Sequence, residues 1–197
     1  MLQQVKKVVY DYSKKYNKYT EEFKKDKAYV DANYVSSGSM WADGFKSIKE
    51  NYNNLVEEAR SVATEETKVI FKSITEKLNK KIAEGVAPGV VAELELLKTT
   101  KVTKDDIDAY LQKYYNNYLV CKVLKELAEK KEIQAEVLTL TDQMELLEDL
   151  KNQVIEFYRI YSGPSKSYKC ELILNGNIID NIDSQLKVFV VRYGIEV

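Results

Sequence analysis

Apolar residues near the start of the chain recur at alternating short intervals. Leu2, Val5, Val9, Tyr12, Tyr16, Tyr19 and Phe23 are spaced 3, 4, 3, 4, 3 and 4. This is a heptad ridge, and Val30 continues its register one heptad beyond Phe23, past an interruption at Asp26. Lysines 6, 7, 14, 15, 18, 24 and 25 lie off the ridge. The spacing predicts a helix over about 2–34, roughly 50 Å long. Such a helix is marginal alone, because most helical stability comes from burying one face. It needs a partner rod.

The polar stretch SSGSMWADG at 36–44 predicts a turn, with Asp43 placed to cap the next helix. A second series then runs Phe45, Ile48, Tyr52, Leu55, Ala59 and Val62. It drifts to Val69, Ile70, Ile74, Leu78 and Ile82, and ends at Gly85 and the APG of 87–89. Two long helices joined by a short loop are expected to lie antiparallel. Residues 1–84 therefore read as a long, coiled-coil-like helical hairpin.

The pattern changes after that. Pro88 suits a first helical turn, and VVAELELL predicts a short helix within a connector at 85–102. A smaller helical domain is expected over 103–197. Thr103 reads as an N-cap, with Asp105 and Asp106 where the helix dipole favours acids. Ile107, Leu111, Tyr114, Tyr118 and Cys121 continue a face that Leu124, Leu127 and Ala128 extend. Asn116-Asn117 predicts a bend or split there. Thr141 is expected to cap another long helix with the face Met144, Leu147, Leu150, Val154, Phe157 and Tyr161, stopped by Gly163-Pro164. YKCELIL at 168–174 is β-like, and NGN at 175–177 predicts a small hairpin back to IID. The last piece, DSQLKVFVVRYGI, reads either way, with valines favouring strand and spacing favouring helix. The fold class is thus mainly α, with a short C-terminal β-hairpin.

Composition narrows the chemistry. At 197 residues the chain is one large domain or two small ones. A net charge of -1 gives no bulk attraction to nucleic acid, so any such partner needs a local patch. No apolar run is long enough for a membrane span, and MLQQVKKVVYDY does not read as a secretory signal. Cys121 and Cys170 lie far apart without a CxxC; reduced thiols in a cytoplasmic setting are the simple reading, with a single bridge between them as the alternative. There is no histidine, which removes the Ser-His and Cys-His pairs and most zinc sites.

Each candidate site has a plain structural alternative. The tyrosines of VVYDYSKKYNKYTEEF, among eight lysines and five acids over 1–35, could stack bases and grip phosphates. The heptad spacing instead favours Val5, Val9, Tyr12, Tyr16, Tyr19, Phe23, Phe45, Ile48, Tyr52 and Leu55 as a helix-packing or oligomer face. Tyr10 lies off the ridge. In YYNNY, Tyr114 and Tyr118 fit a buried face and Tyr115 points elsewhere. The carboxylates of DDID and ELLED lack EF-hand spacing, and Glu145, Glu148 and Asp149 read as a solvated face. No GxxxxGK[ST], GxGxxG or GxSxG occurs. No metal, cofactor or enzymatic activity is expected. Met40 and Trp41, placed in the predicted loop, are either local packing or a candidate partner contact.

KKVVYDYSKKYNKYTEEFKKDKAYV and DDIDAYLQKYYNNYLVCKVLKELAEKK resemble the lysine-, tyrosine- and asparagine-rich helical proteins of phages and prophages of low-GC Gram-positive bacteria. The resemblance implies a structural, scaffold-like or accessory protein acting by contact, in the host cytoplasm or the virion. The expected partner is protein, a second copy of the chain first of all. An inhibitor or adaptor of a host protein or nucleic-acid machine is the alternative, since 129–156 carries eight acids against three lysines. The charge balance speaks against nucleic acid as a direct partner, and nothing calls for a membrane.

Overall fold

The computed structural model describes residues 2–162, apart from Glu136 and Leu138, together with Ser184. The chain is mainly helical. Among the described residues there are six helices and no strand: α1 (Leu2–Asn33), α2 (Ser39–Ile82), α3 (Pro88–Thr99), α4 (Lys104–Tyr114), α5 (Tyr118–Lys130) and α6 (Leu140–Ile160). The expected β-hairpin at 168–180 and the ambiguous segment at 183–194 lie outside the described residues, apart from Ser184, which is helical. The described residues form two compact units, one of residues 2–70 with 150–162 and one of residues 71–149. These units cut across the segments 1–84, 85–102 and 103–197, because α2 and α6 each contribute to both.

In the first unit, α1 buries Val5, Val9, Tyr12 and Tyr16 as the heptad spacing predicts. The next buried position is Thr20, not Tyr19, which is half-buried. A straight helix has 3.6 residues per turn, so a strict 3–4 alternation drifts off its own face. Ser13, fully buried on the same helix, returns its hydroxyl to the Val9 carbonyl at 2.8 Å, and Thr20 meets the Tyr52 hydroxyl at 3.3 Å. These two bonds let polar side chains occupy the core.

The connection differs from the expected turn at 36–44. It is shorter and earlier, because α2 already starts at Ser39 with the Gly38 carbonyl accepting from Ala42. Asp43 therefore lies inside the helix and does not cap it. Gly44 lies beside Val30, where a Cβ would stand at an ordinary van der Waals distance of 3.4 Å from a Val30 methyl. Contacts between α1 and α2 run in opposite sequence order, Val30 against Gly44, Phe23 against Phe45 and Tyr52, and Thr20 against Tyr52.

Along α2 the buried series is Tyr52, Val56, Ala59, Ala63, Thr67, Phe71, Ile74 and Leu78. Its spacings are 4, 3, 4, 4, 4, 3 and 4, wider on average than the strict 3–4 alternation of a heptad seam, the pattern of a straight or slightly right-handed ridge. The expected ridge residues Val62 and Val69 consequently face outward.

The second unit is built from short, well-capped helices. Leu94, Leu97, Val102, Ile107, Val120, Cys121, Leu124, Leu127 and Val137 form its core. Pro88 opens α3. Thr103 caps α4 through a reciprocal box with Asp106, and Asn117 splits α4 from α5 by accepting from the Val120 amide at 3.1 Å. The same kind of box starts α6. Thr139 Oγ1 accepts from the Asp142 amide while the Asp142 carboxylate accepts from the Thr139 amide at 2.7 Å. The cap is therefore Thr139, and the expected Thr141 sits one position inside the helix. Only Thr139 has an acid three residues on, which is what the box requires.

The end of α5 is a Schellman turn. The Ile133 amide donates to Ala128 at 2.9 Å and the Glu132 amide to Glu129 at 3.2 Å. Glu132 takes the left-handed conformation, φ 55, that this turn demands at its C′ position. A side chain there costs about 1 kcal/mol. Glu132→Gly is expected to leave the fold intact and stabilise it by a few tenths to about 1 kcal/mol, whereas Glu132→Val destabilises it. Chemical denaturation of the two variants checks the signs.

Candidate interaction surfaces

The face predicted for helix packing or oligomerisation divides into two classes. Val5, Val9, Tyr12, Tyr16 and Tyr52 are buried within the first unit, whereas Tyr19, Phe23, Phe45, Ile48 and Leu55 are half-buried. An aromatic cluster forms around Tyr12 and Tyr16 of the first class. Tyr12 lies 4.9 Å from the Tyr158 ring and 6.3 Å from Phe157, edge to face in both cases, with Tyr16 stacked alongside at 6.3 Å. The Tyr12 hydroxyl shares its one proton between the carbonyls of Tyr161 at 2.7 Å and Tyr158 at 3.0 Å. It thereby satisfies acceptors at the C-terminal end of α6, which a helix end cannot satisfy itself.

Tyr158 is the member of this cluster that sequence reasoning missed. The expected face of α6 runs through Phe157 and Tyr161. Tyr158 stands four residues after Val154, so the same periodicity admits it. It is fully buried, and its hydroxyl lies 3.0 Å from Thr67 Oγ1. Burial pushes its pKa up to about 12, against a counteracting bond from Thr67. The unfolded chain releases this proton near pH 10 and the folded chain holds it, so folding stability is whole below pH 10. It is lost as pH rises from 10 through 12, by about 2–3 kcal/mol. Urea midpoints over pH 8–12 are expected to show this loss, reduced in Tyr158→Phe.

Met40 and Trp41 occupy the first turn of α2 rather than a loop. Met40 is exposed. Trp41 stacks on Phe45 at 5.2 Å and donates from Nε1 to Asp31 Oδ1 at 2.9 Å. The Asp31 carboxyl is held below its usual range by Lys27, which donates to it at 2.6 Å, and by that indole N–H. The ring is thus tied across the connection, while Met40, Val35 and Tyr29 remain at the surface.

Two grooves flank α2 in the first unit. One, of about 210 Å³, has Tyr12, Ala59, Val62 and Ala63 among its lining, with Lys14, Lys15, Asp11 and Glu66 around them. The other, of about 290 Å³, brings Arg60 and Arg159 beside Ser61, Thr64 and Ile155. Both arginines are already paired within their own helices, Arg60 with Glu57 and Arg159 with Glu156. That pairing leaves the second groove without net positive charge.

In the second unit, Glu93 accepts from the Tyr114 hydroxyl at 2.7 Å and from Lys113 at 3.0 Å, joining α3 to α4. These two donors, the tyrosine first, hold the Glu93 carboxyl below its usual range. Tyr115 is exposed, as YYNNY suggests, and Tyr114 and Tyr118 are half-buried. Asp106 and Asp142 act as cap partners. Glu145, Glu148 and Asp149 are exposed, and among the described residues no group of acids and thiols is arranged to hold a metal ion. Among the same residues no helix is long and apolar enough to cross a membrane. Comparisons with protein-family models, with curated proteins and with solved structures gave no significant match, so a functional reading rests on this geometry alone.

Proposed function

We propose that this chain is a non-enzymatic interaction protein that self-associates through its long helices, in the manner of a phage structural, scaffold-like or assembly factor. In this reading α1 and the start of α2 act as an antiparallel hairpin that presents a surface to a second copy. One observation carries it. Half of the large apolar side chains exposed among the described residues, Tyr10, Tyr29, Val35, Met40, Val62 and Val69, lie on α1, α2 and their connection within the first unit. Among them Val62 and Val69 stand seven residues apart on α2, and exposed apolar groups that share one helix face mark a contact surface more often than scattered ones do. Size-exclusion chromatography with light scattering at tens of micromolar tests the proposal. A mass above 22.8 kDa that falls on dilution supports it, and a strict monomer rejects it.

A second reading, an inhibitor or adaptor of a host protein or nucleic-acid machine, is favoured by the exposed acids Glu126, Glu129, Glu132, Glu145 and Asp149 on and beside α5 and α6. One stoichiometric partner recovered from host lysate by a monomeric chain would favour it over self-association.

A further inference from the structure

The first unit is assembled from two separate stretches of chain, residues 2–70 and residues 150–162. Between them, residues 71–149 form the second unit, which has a core of its own. The longer stretch is a seat. Tyr12 and Tyr16 of α1 and Thr67 of α2 are buried in it. The shorter stretch is a closing segment, the second half of α6, with Leu150, Val154, Phe157 and Tyr158 buried. The two meet through the rings of Tyr12, Phe157 and Tyr158. The Tyr12 hydroxyl reaches carbonyls 146 and 149 residues further on, and the Tyr158 hydroxyl meets Thr67 across 91 residues.

We infer that the seat takes the closing segment of a second copy as well as its own, so that two chains associate by exchanging residues 150–162. The step rests on the proposed self-association and gives it a route. The occupant is the segment already seen in the seat. Each of these contacts joins one stretch to the other, and each keeps its form whichever chain supplies the segment. Exchange therefore needs no new complementary surface and leaves the aromatic cluster covered. What separates the two states is the entropy of association, set against that of closing one chain on itself. The cost of closing a chain grows with the length closed, and here all of residues 71–149 intervene. Protein concentration then decides the balance. Two seats and two segments satisfy each other completely, so the product is a closed, two-fold dimer.

Cross-linking of the full chain tests this. Glu65 and Arg159 are exposed and line one groove, one on the seat and the other on the closing segment. Their ion pairs with Lys68 and Glu156 are exposed and contribute little, so Glu65→Cys with Arg159→Cys is expected to fold. Cys170→Ala completes the variant, and Cys121 stays because it is buried away from reagent. The chain is unfolded in urea, refolded at tens of micromolar, separated by size and treated with a short bifunctional maleimide. The monomer fraction is expected to cross-link within one chain. The dimer fraction is expected to cross-link between chains, giving twice the chain mass on a denaturing gel. Should the variant misfold, Ser61→Cys replaces Glu65→Cys, since Ser61 lines the same groove. A dimer fraction that cross-links only within chains overturns the exchange and leaves self-association standing through another face. A monomer fraction without internal cross-links overturns the seat itself. A wild type that stays monomeric removes both the exchange and the self-association.

Discussion

Tyr16→Lys is expected to destabilise the chain by about 3 kcal/mol or more, the cost of forcing an ammonium group into an apolar core. Position 16 is 1% exposed, stacked beside Tyr12 in the aromatic cluster of the first unit. Lysine there has to bury its charge, lose its proton or push α1 away from its neighbours. Urea denaturation followed by circular dichroism measures the effect. Tyr10→Lys is the companion variant, because that ring is half in solvent and its replacement is expected to change stability by less than about 0.5 kcal/mol. Equal midpoints for the two variants would show that the tyrosines of α1 do not face inward.

Tyr12→Ala is expected to cost about 3–5 kcal/mol, as large aromatic truncations in packed cores do. Three interactions are lost at once: the edge-to-face contacts with Tyr158 and Phe157, the stack on Tyr16, and the two hydrogen bonds to the end of α6. Tyr12→Phe separates them. It keeps the ring and strips only the hydroxyl, leaving two carbonyls short of a donor, and is expected to cost about 1–3 kcal/mol. Thermal melts of both variants give the ratio. A phenylalanine variant as stable as the wild type would mean that water serves those carbonyls equally well.

Much of α1 is legible in the sequence because its first half obeys both periods at once. Over Val5, Val9, Tyr12 and Tyr16 a heptad and a 3.6-residue helix select the same face. They part company at Tyr19, where Thr20 takes the buried place, although Val30 of the same heptad register is buried again and Phe23 packs on Phe45 and Tyr52. On α2 the heptad assumption places Val62 and Val69 inside. Periodicity shows that a helix has a wide apolar sector, but the neighbours decide which part of the sector closes. One of those neighbours is the second half of α6, whose Tyr158 reaches Thr67 from 91 residues away in the sequence. Nothing local signals that approach.

Local signals do better where the chemistry is local. Thr103 and Asn117 are readable as helix boundaries because a cap needs only a few adjacent residues. Thr139 obeys the same rule, and the expectation of Thr141 overlooks the acid that completes its box. Gly44 misleads in the opposite direction. Beside serines and an aspartate it reads as a turn, yet it lies inside α2, next to Val30. Met40 and Trp41 consequently move from a loop into a helix, which holds the indole against Phe45 and Asp31.

The bond from Tyr12 to the end of α6 spans 146 to 149 residues of chain. A polypeptide emerging from the ribosome therefore exposes its early tyrosine ridge long before the lid that covers it has been translated, while the core of residues 94–137 is complete sooner. At about 5–20 residues per second that interval lasts roughly 7 to 30 seconds. During it the nascent ridge is open to chaperones, or to the ridge of a neighbouring chain on the same messenger.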